Sequence, residues 1–185
     1  MKIESPDYTK TDFENFLDGE LDSERNLLAD RLDGASARLA KLGPKIKAGR
    51  GDGRARAGRT SDGDAWNGLE VLAHIAGFSK YYGVLVHKVA AGQISEVDLM
   101  ASTNIRDESI VQLSAMEPGA LLAMALDAHA RTAQELRTLD LSAFRNKTNV
   151  AGGLWFSPVN ADFLARYPLV NHLEAHVEQL EKLLG

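Results

Sequence analysis

The chain has 185 residues, 44% of them apolar and 25% charged, which suits one well-buried globular domain over residues 1–185. Its formal net charge of −5 argues against nucleic acid as the main partner, because phosphate binding needs a basic face. The chain has no cysteine, which excludes disulfides, thiolate metal ligands and a cysteine nucleophile.

The first ten residues, Met1 to Lys10, are polar and contain no apolar core of the kind found in a secretory signal. No run of about 18 apolar residues follows anywhere in the chain, so we expect no membrane span. These features predict a cytoplasmic protein. Residues 1–20 have the character of an N-terminal extension to the domain.

The first predicted helix opens with a possible capping box, Thr11 followed by Glu14, and carries apolar residues at helical spacing as far as Leu42. Gly43 and Pro44 follow as a stop signal. Gly19 and Gly34 weaken the helix, so a break near either is an open alternative. The pattern predicts a long helix with one apolar face.

Residues 45–64 alternate glycine with arginine and predict a flexible loop. One interpretation is a solvated crossover between two helices. The other is a basic flap that draws an anionic substrate or cofactor towards a site. In that second interpretation Arg50 and Arg54 are the candidate cofactor-binding residues.

The second helix is predicted from Asp64, as a cap, to about Ala91, because apolar residues recur at helical spacing between them. A second loop follows and contains a short helix around residues 107–115. The third helix is predicted to start at Pro118, since proline favours the first helical position.

Residues 140–158 read as irregular, and no strand in the chain shows convincing alternation. The last helix is predicted from Asn160 to Leu184, with Pro168 kinking or restarting it one turn before His172. Four helices with one inward apolar stripe each predict an all-α four-helix bundle. Its long loops join helices 1 and 2 and helices 3 and 4. In this architecture, side chains on facing helices build metal sites.

Three histidines stand out as candidate metal ligands. His172 and His176 lie four residues apart, so a helix places both imidazoles on one face. A third imidazole from His74, on the second helix, would complete a three-nitrogen site that leaves positions open for water or substrate. The competing interpretations are a chance pair and, for His74, a hydrogen-bonded core histidine.

Two glutamates are candidate catalytic residues. Glu70 lies one turn before His74 and either orients its ring or is an ordinary exposed carboxylate. Glu70 or Glu178 would serve as the base if the reaction were hydrolysis. His87 lies about 140° round the helix from His74 and is expected on the surface, whereas His129 is expected in the core or at its boundary.

Trp66, the segment Glu70-Val71-Leu72-Ala73-His74-Ile75-Ala76 and the segment from His172 to Leu180 together resemble the DinB superfamily. This superfamily includes the mycothiol-dependent maleylpyruvate isomerases and the bacillithiol S-transferases. The resemblance implies an up-down-down-up bundle and a divalent metal on His74, His172 and His176. It also implies a homodimer and the use of a low-molecular-weight thiol.

The leading functional hypothesis is therefore a metal-dependent thiol S-transferase or isomerase that acts on a small-molecule substrate. One alternative is a hydrolase whose nucleophile is metal-bound water. The other is a non-catalytic, stress-related helical binding protein. Three imidazoles suit zinc, nickel or iron, so the identity of the metal is open.

Overall fold

The computed structural model describes residues 24–48, 66–99, 109–152 and 157–185. These residues are mostly helical, which confirms the all-α class at that coarse level. The Thr11–Glu14 capping box, the N-terminal extension, and Arg50 and Arg54 in the glycine-arginine loop lie outside the described residues.

The elements follow one another in a simple order. Their bounds are α1 Glu24–Lys41, α2 Gly43–Lys47, α3 Gly68–Ala90, β1 Glu96–Val97, α4 Pro118–Thr138, α5 Leu141–Phe144, β2 Lys147–Val150, β3 Val159–Asn160, α6 Ala161–Leu164, a π-helical segment Ala165–Asn171, and α7 His172–Leu184. Residues 109–113 are also helical. From Ala161 to Leu184 the chain therefore stays helical without interruption.

Helix α1 passes through Gly34 without a break and ends at Lys41. The Gly43-Pro44 pair does end it, as predicted, but the same pair then opens the short helix α2. Proline at the start of α2 costs nothing, since the N–H that it lacks would have had no partner inside the helix.

The predicted start of the second helix at Asp64 is wrong. Helix α3 begins at Gly68, and its N-cap is Asn67. The Asn67 side chain accepts a hydrogen bond from the Glu70 N–H at 2.9 Å, while the Glu70 carboxylate accepts one from the Asn67 N–H at 2.8 Å. This reciprocal capping box satisfies two amide donors, whereas a single cap satisfies one.

The other two predicted helix starts are confirmed. Helix α4 begins at Pro118, and the Glu117 side chain accepts a hydrogen bond from the Ala120 N–H. The last helical stretch begins after Asn160, whose side chain accepts a hydrogen bond from the Phe163 N–H at 2.8 Å.

The expectation of no strands, with an irregular segment at 140–158, is wrong in part. Strand β2 pairs in parallel with β1, and Val150 lies opposite Val97. It pairs antiparallel with β3, and Thr148 lies opposite Val159. Strand β2 has only four residues, with Thr148 and Val150 buried. Such a strand is too short for alternation to be distinguished from chance.

Pro168 lies where the last helical stretch changes geometry, and the predicted restart of the α-helix follows it at His172. The segment Ala165–Asn171 winds as a π-helix around it, and the α-helical geometry resumes at His172. Since proline has no N–H, the α-helical hydrogen bond is already missing at this position, and a wider turn avoids the clash between its ring and the preceding carbonyl.

Polar contacts between helices give their relative directions. Helices α1 and α4 are antiparallel, because Asp30 contacts Arg137 and Ser36 contacts His129. Helices α3 and α4 run in parallel, since Ser79 contacts the same His129 and His87 contacts Glu135 further along both helices.

The last helix completes the arrangement. Helix α7 runs parallel to α1, because Arg31 pairs with Glu174 and Arg38 pairs with Glu181 further along both helices. It is antiparallel to α3, because Trp66 contacts His176 while Phe78 contacts His172. The order of directions along the chain is therefore up, down, down, up.

The hydrophobic core lies between these helices. The largest fully buried side chains are Phe144, Phe163, Leu28, Leu32, Leu39, Leu72, Ile75, Leu121, Leu136, Leu164 and Leu169. Among the described residues, none of the helices combines the length and the apolar character that a membrane crossing requires.

Candidate metal centre

Three imidazole rings from two antiparallel helices meet at one point. His74 Nε2 lies 2.8 Å from His172 Nε2, which in turn lies 3.1 Å from His176 Nε2. The first ring comes from α3 and the other two from consecutive turns of α7, 98 residues further along the chain. The structure therefore brings together the three predicted metal ligands.

The spacing of the three nitrogens suits a shared ion. One ligand nitrogen from each ring can be chosen so that all three lie within 4.8 Å of one another. A tetrahedral ion bound at about 2.0–2.1 Å places two of its nitrogen ligands about 3.4 Å apart. The 2.8 Å and 3.1 Å separations between the Nε2 atoms lie within about 0.6 Å of that value. The residues fit a divalent metal, and all three donors are uncharged when they bind it.

Gln179 determines which nitrogen of His176 faces the cluster. Its side-chain oxygen lies 2.8 Å from His176 Nδ1 and can only accept a hydrogen bond from it. The proton of the neutral ring therefore lies on Nδ1, which leaves the Nε2 lone pair directed at the other two imidazoles. A ligating histidine usually has such an acceptor behind it.

Two aromatic side chains enclose the rings. Trp66 stacks on His176, with ring centroids 5.9 Å apart and planes 25° apart, and it also contacts His74 at 4.8 Å. Phe78 meets the ring of His172 edge-on at 4.7 Å. Both aromatic residues are buried. They restrict rotation of the imidazoles and keep water away from one side of the site.

His74 is itself buried, whereas His172 and His176 are partly exposed. Access to the cluster is therefore from the α7 side.

The two candidate catalytic glutamates occupy different environments. Glu70 is buried and caps α3 through Asn67, as described above. Glu178 lies on the outer face of α7, where its carboxylate forms a 2.7 Å ion pair with Lys182 and the side chain is 58% exposed. This ion pair lowers the pKa of Glu178.

The two remaining described histidines lie away from the cluster. His87 is exposed and pairs with Glu135. His129 is buried, with one ring nitrogen 2.8 Å from the Ser36 hydroxyl and the other 2.8 Å from the Ser79 hydroxyl. Burial lowers its pKa to about 4.

Sequence reasoning missed Gln179 and Phe78. A usable signal existed for both, because Gln179 lies three residues after His176 and Phe78 four residues after His74. Residues at these spacings are neighbours on a helix surface. A search of the one-turn neighbours of each ligand would have found them.

No family model, no curated protein and no solved structure matches this chain.

Proposed function

We propose that the chain is a DinB-like, divalent-metal-dependent enzyme that activates a low-molecular-weight thiol, as an S-transferase or an isomerase. The observation that carries the proposal is the convergence of His74, His172 and His176 within ligand distance of a single ion. His74 comes from α3 and the other two from α7, and the buried Trp66 and Phe78 lie beside all three rings.

The up, down, down, up order of the helices agrees with the arrangement that the DinB resemblance implies and so supports the proposal. We also propose that the protein is a homodimer, on the same resemblance. Light scattering on the purified protein measures its mass in solution and tests this part separately.

A divalent ion held by three neutral ligands keeps its full charge and lowers the pKa of a bound thiol or water. The chain supplies the rest of the site. His74, His172 and His176 would hold the ion, Gln179 would fix the tautomer of His176, and Trp66 would shield the rings from water.

The position of Glu178 removes one of the two candidate bases for hydrolysis. Hydrolysis by metal-bound water needs a base within hydrogen-bond reach of that water. Glu178 was one of two candidates for this base, and it is instead paired with Lys182 on the exposed face of α7. A thiol activated by an ion needs no such base, since the ion itself stabilises the thiolate.

The direct test is metal binding by the full chain and two histidine variants. We expect the wild-type protein to bind about one equivalent of zinc, nickel or iron and to melt at a higher temperature when it is bound. His176→Ala removes a ligand and should weaken binding by at least about 100-fold. The matched control is His87→Ala, which removes an exposed imidazole far from the cluster and should bind like wild type.

Equal metal content in the wild-type and His176→Ala proteins would overturn the proposed site. The chemical part of the proposal has its own measurement, the consumption of a panel of low-molecular-weight thiols in the presence of a small electrophile. We expect consumption with metal-loaded wild-type protein and none above background with His176→Ala. Metal binding without thiol consumption would support the site and refute the thiol chemistry.

A further inference from the structure

Arg31 of α1 reaches across to α7 and contacts the residues on both sides of the ligand His172. Its guanidinium donates to Asn171 Oδ1 at 2.7 Å and to the two carboxylate oxygens of Glu174 at 2.9 Å and 2.5 Å. Asn171 immediately precedes His172, and Glu174 follows it by two residues. One side chain of α1 thus forms hydrogen bonds on both sides of the turn of α7 that carries His172.

This turn is where the helical geometry changes. Asn171 is the last residue of the π-helical segment, and the α-helix resumes at His172. At a helix start, an asparagine side chain would normally cap the helix, but here the chain arrives already helical and Asn171 makes no such bond. Its side-chain oxygen is directed to Arg31 instead.

The phase of α7 at this junction decides whether the histidines meet. Each helical residue turns the chain by about 100°. A change in the register of the π-helical segment therefore swings His172 and His176 away from His74 together. The α-helical hydrogen bonds of α7 hold His172 and His176 relative to each other, but they do not fix the pair relative to α3.

The same two helices provide an internal comparison. Arg38 binds Glu181 through two hydrogen bonds of 3.0 Å and 2.5 Å, which is the same bidentate pair two turns further along both helices. The exposures of the two pairs are also similar, 30% and 33% for Arg31 and Glu174 against 41% and 35% for Arg38 and Glu181. Among the described residues, the Arg38 guanidinium hydrogen-bonds to Glu181, five residues after His176, and its charge also lies near Glu174 and Glu178.

We propose that Arg31 is a positioning residue for the metal centre: by holding Asn171 and Glu174 it fixes the rotation of the turn that presents His172. This inference rests on the proposed metal site. Arg31 has no lone pair to offer an ion, and the charge of Glu174 balances its own, so it acts through geometry. The Arg38 pair contributes to helix packing only.

The test uses two charge-balanced double variants of the full chain. Arg31→Gln with Glu174→Gln removes the pair beside His172, and Arg38→Gln with Glu181→Gln removes the matched pair. Each change leaves the net charge unaltered and deletes one bidentate contact between α1 and α7, and the first also deletes the hydrogen bond from Arg31 to Asn171. We measure zinc affinity by competition with a chromophoric chelator, the visible absorption spectrum of the cobalt(II)-loaded protein, and the melting temperature without metal.

We expect both double variants to melt at similar temperatures without metal. Zinc affinity should fall about 10-fold or more in the Arg31/Glu174 variant, as is typical when a partner that orients a ligand is lost. It should stay within about twofold of wild type in the Arg38/Glu181 variant. The cobalt bands, which report ligand geometry and not stability, should change only in the first.

Equal zinc affinities and equal cobalt spectra in the two double variants would overturn the role of Arg31 while leaving the metal site intact. Failure of the wild-type protein to bind metal would instead refute the proposed function. If the Arg31/Glu174 variant does not fold, Arg31→Lys replaces it, because lysine keeps the charge and loses the planar fork. Wild-type affinity and spectrum in Arg31→Lys would then contradict the inference.

Discussion

At the scale of single residues, the proton on each imidazole decides whether the histidine cluster can accept an ion. A neutral histidine offers one lone pair, and the partner of its other nitrogen determines where that lone pair points. Gln179 performs this role for His176 at a distance of 2.8 Å. Gln179 therefore orients the ring of a candidate ligand through this hydrogen bond.

Replacing Gln179 tests this directly. Gln179→Leu keeps the size of the side chain but removes the acceptor, so both tautomers of His176 become accessible and the ring is free to turn. We expect metal affinity to fall about 10-fold, measured by chelator competition. Glu178→Gln, on the adjacent exposed position, is the control and should bind metal as wild type does. Unchanged affinity in Gln179→Leu would mean that the ring is held by packing alone.

Some of this residue-level detail follows from the sequence. The spacing of His172 and His176 predicts that they share a helix face, since the helical repeat is a local property. The orienting contact from Arg31 does not follow, because Arg31 lies 140 residues before Asn171 and no local rule connects them. Such pairs appear only when two helices pack in a defined register.

At the scale of elements, two glycines inside helices differ in whether a larger side chain would fit in their place. Gly34 lies on the exposed face of α1, and a Cβ built there meets nothing within 4 Å. Gly83 lies where α3 approaches α4 closely, and a Cβ there would come within 2.5 Å of Thr132 Oγ1. Gly34 therefore only lowers the stability of its helix, whereas Gly83 allows α3 and α4 to pack closely.

Alanine substitutions separate these two cases. Gly34→Ala should raise the free energy of unfolding by about 0.5–1 kcal/mol, because alanine favours the helix and restricts the unfolded chain. Gly83→Ala should lower it by about 1–3 kcal/mol, since Thr132 must move to make room. Urea unfolding of the two variants measures both changes. A gain in stability for Gly83→Ala would show that the helices separate at little cost.

The sequence determined most helix positions because capping and apolar spacing act within a few residues. The starts at Pro118 and after Asn160 were predicted on those grounds. The start of α3 was misplaced at Asp64, since Asn67 and Glu70 form a stronger, reciprocal cap. The short strand β2 escaped prediction because four residues are too few to show alternation and its parallel partner β1 comes from a distant segment.

At the scale of the whole molecule, His129 joins three helices in the core. It extends from α4 to the hydroxyl of Ser36 on α1 and to that of Ser79 on α3, with only 1% of its surface exposed. One ring nitrogen donates and the other accepts, so the neutral form satisfies both contacts. A protonated ring would have to donate on both sides inside an apolar core.

This burial gives the protein a defined response to acid. Burial lowers the pKa of His129 to about 4, against a value of 6.5 for the exposed side chain of the unfolded chain. Below about pH 6.5 the unfolded state therefore binds more protons than the folded state, and stability falls as the pH falls towards 4. The difference between the two pKa values corresponds to about 3 kcal/mol.

Urea unfolding between pH 7 and pH 4, with a chelator present, measures this loss. His129→Gln keeps a donor and an acceptor but cannot titrate, so its stability should decline less over the same range even if it starts lower. Surface carboxylates such as Glu181, whose pKa its hydrogen bond with Arg38 lowers, lose their contribution only at more acidic pH. Equal declines in the two proteins would assign the acid response to other groups.

By itself the sequence determined the helical class, most helix bounds and the three histidines that carry the metal hypothesis, because spacing and capping are properties of neighbouring residues. Only the tertiary structure decided that His74 meets His172 and that Glu178 faces away, paired with Lys182. It also placed Arg31 beside the ligand turn. These outcomes depend on the register between helices, which packing of the whole core sets and no local pattern encodes.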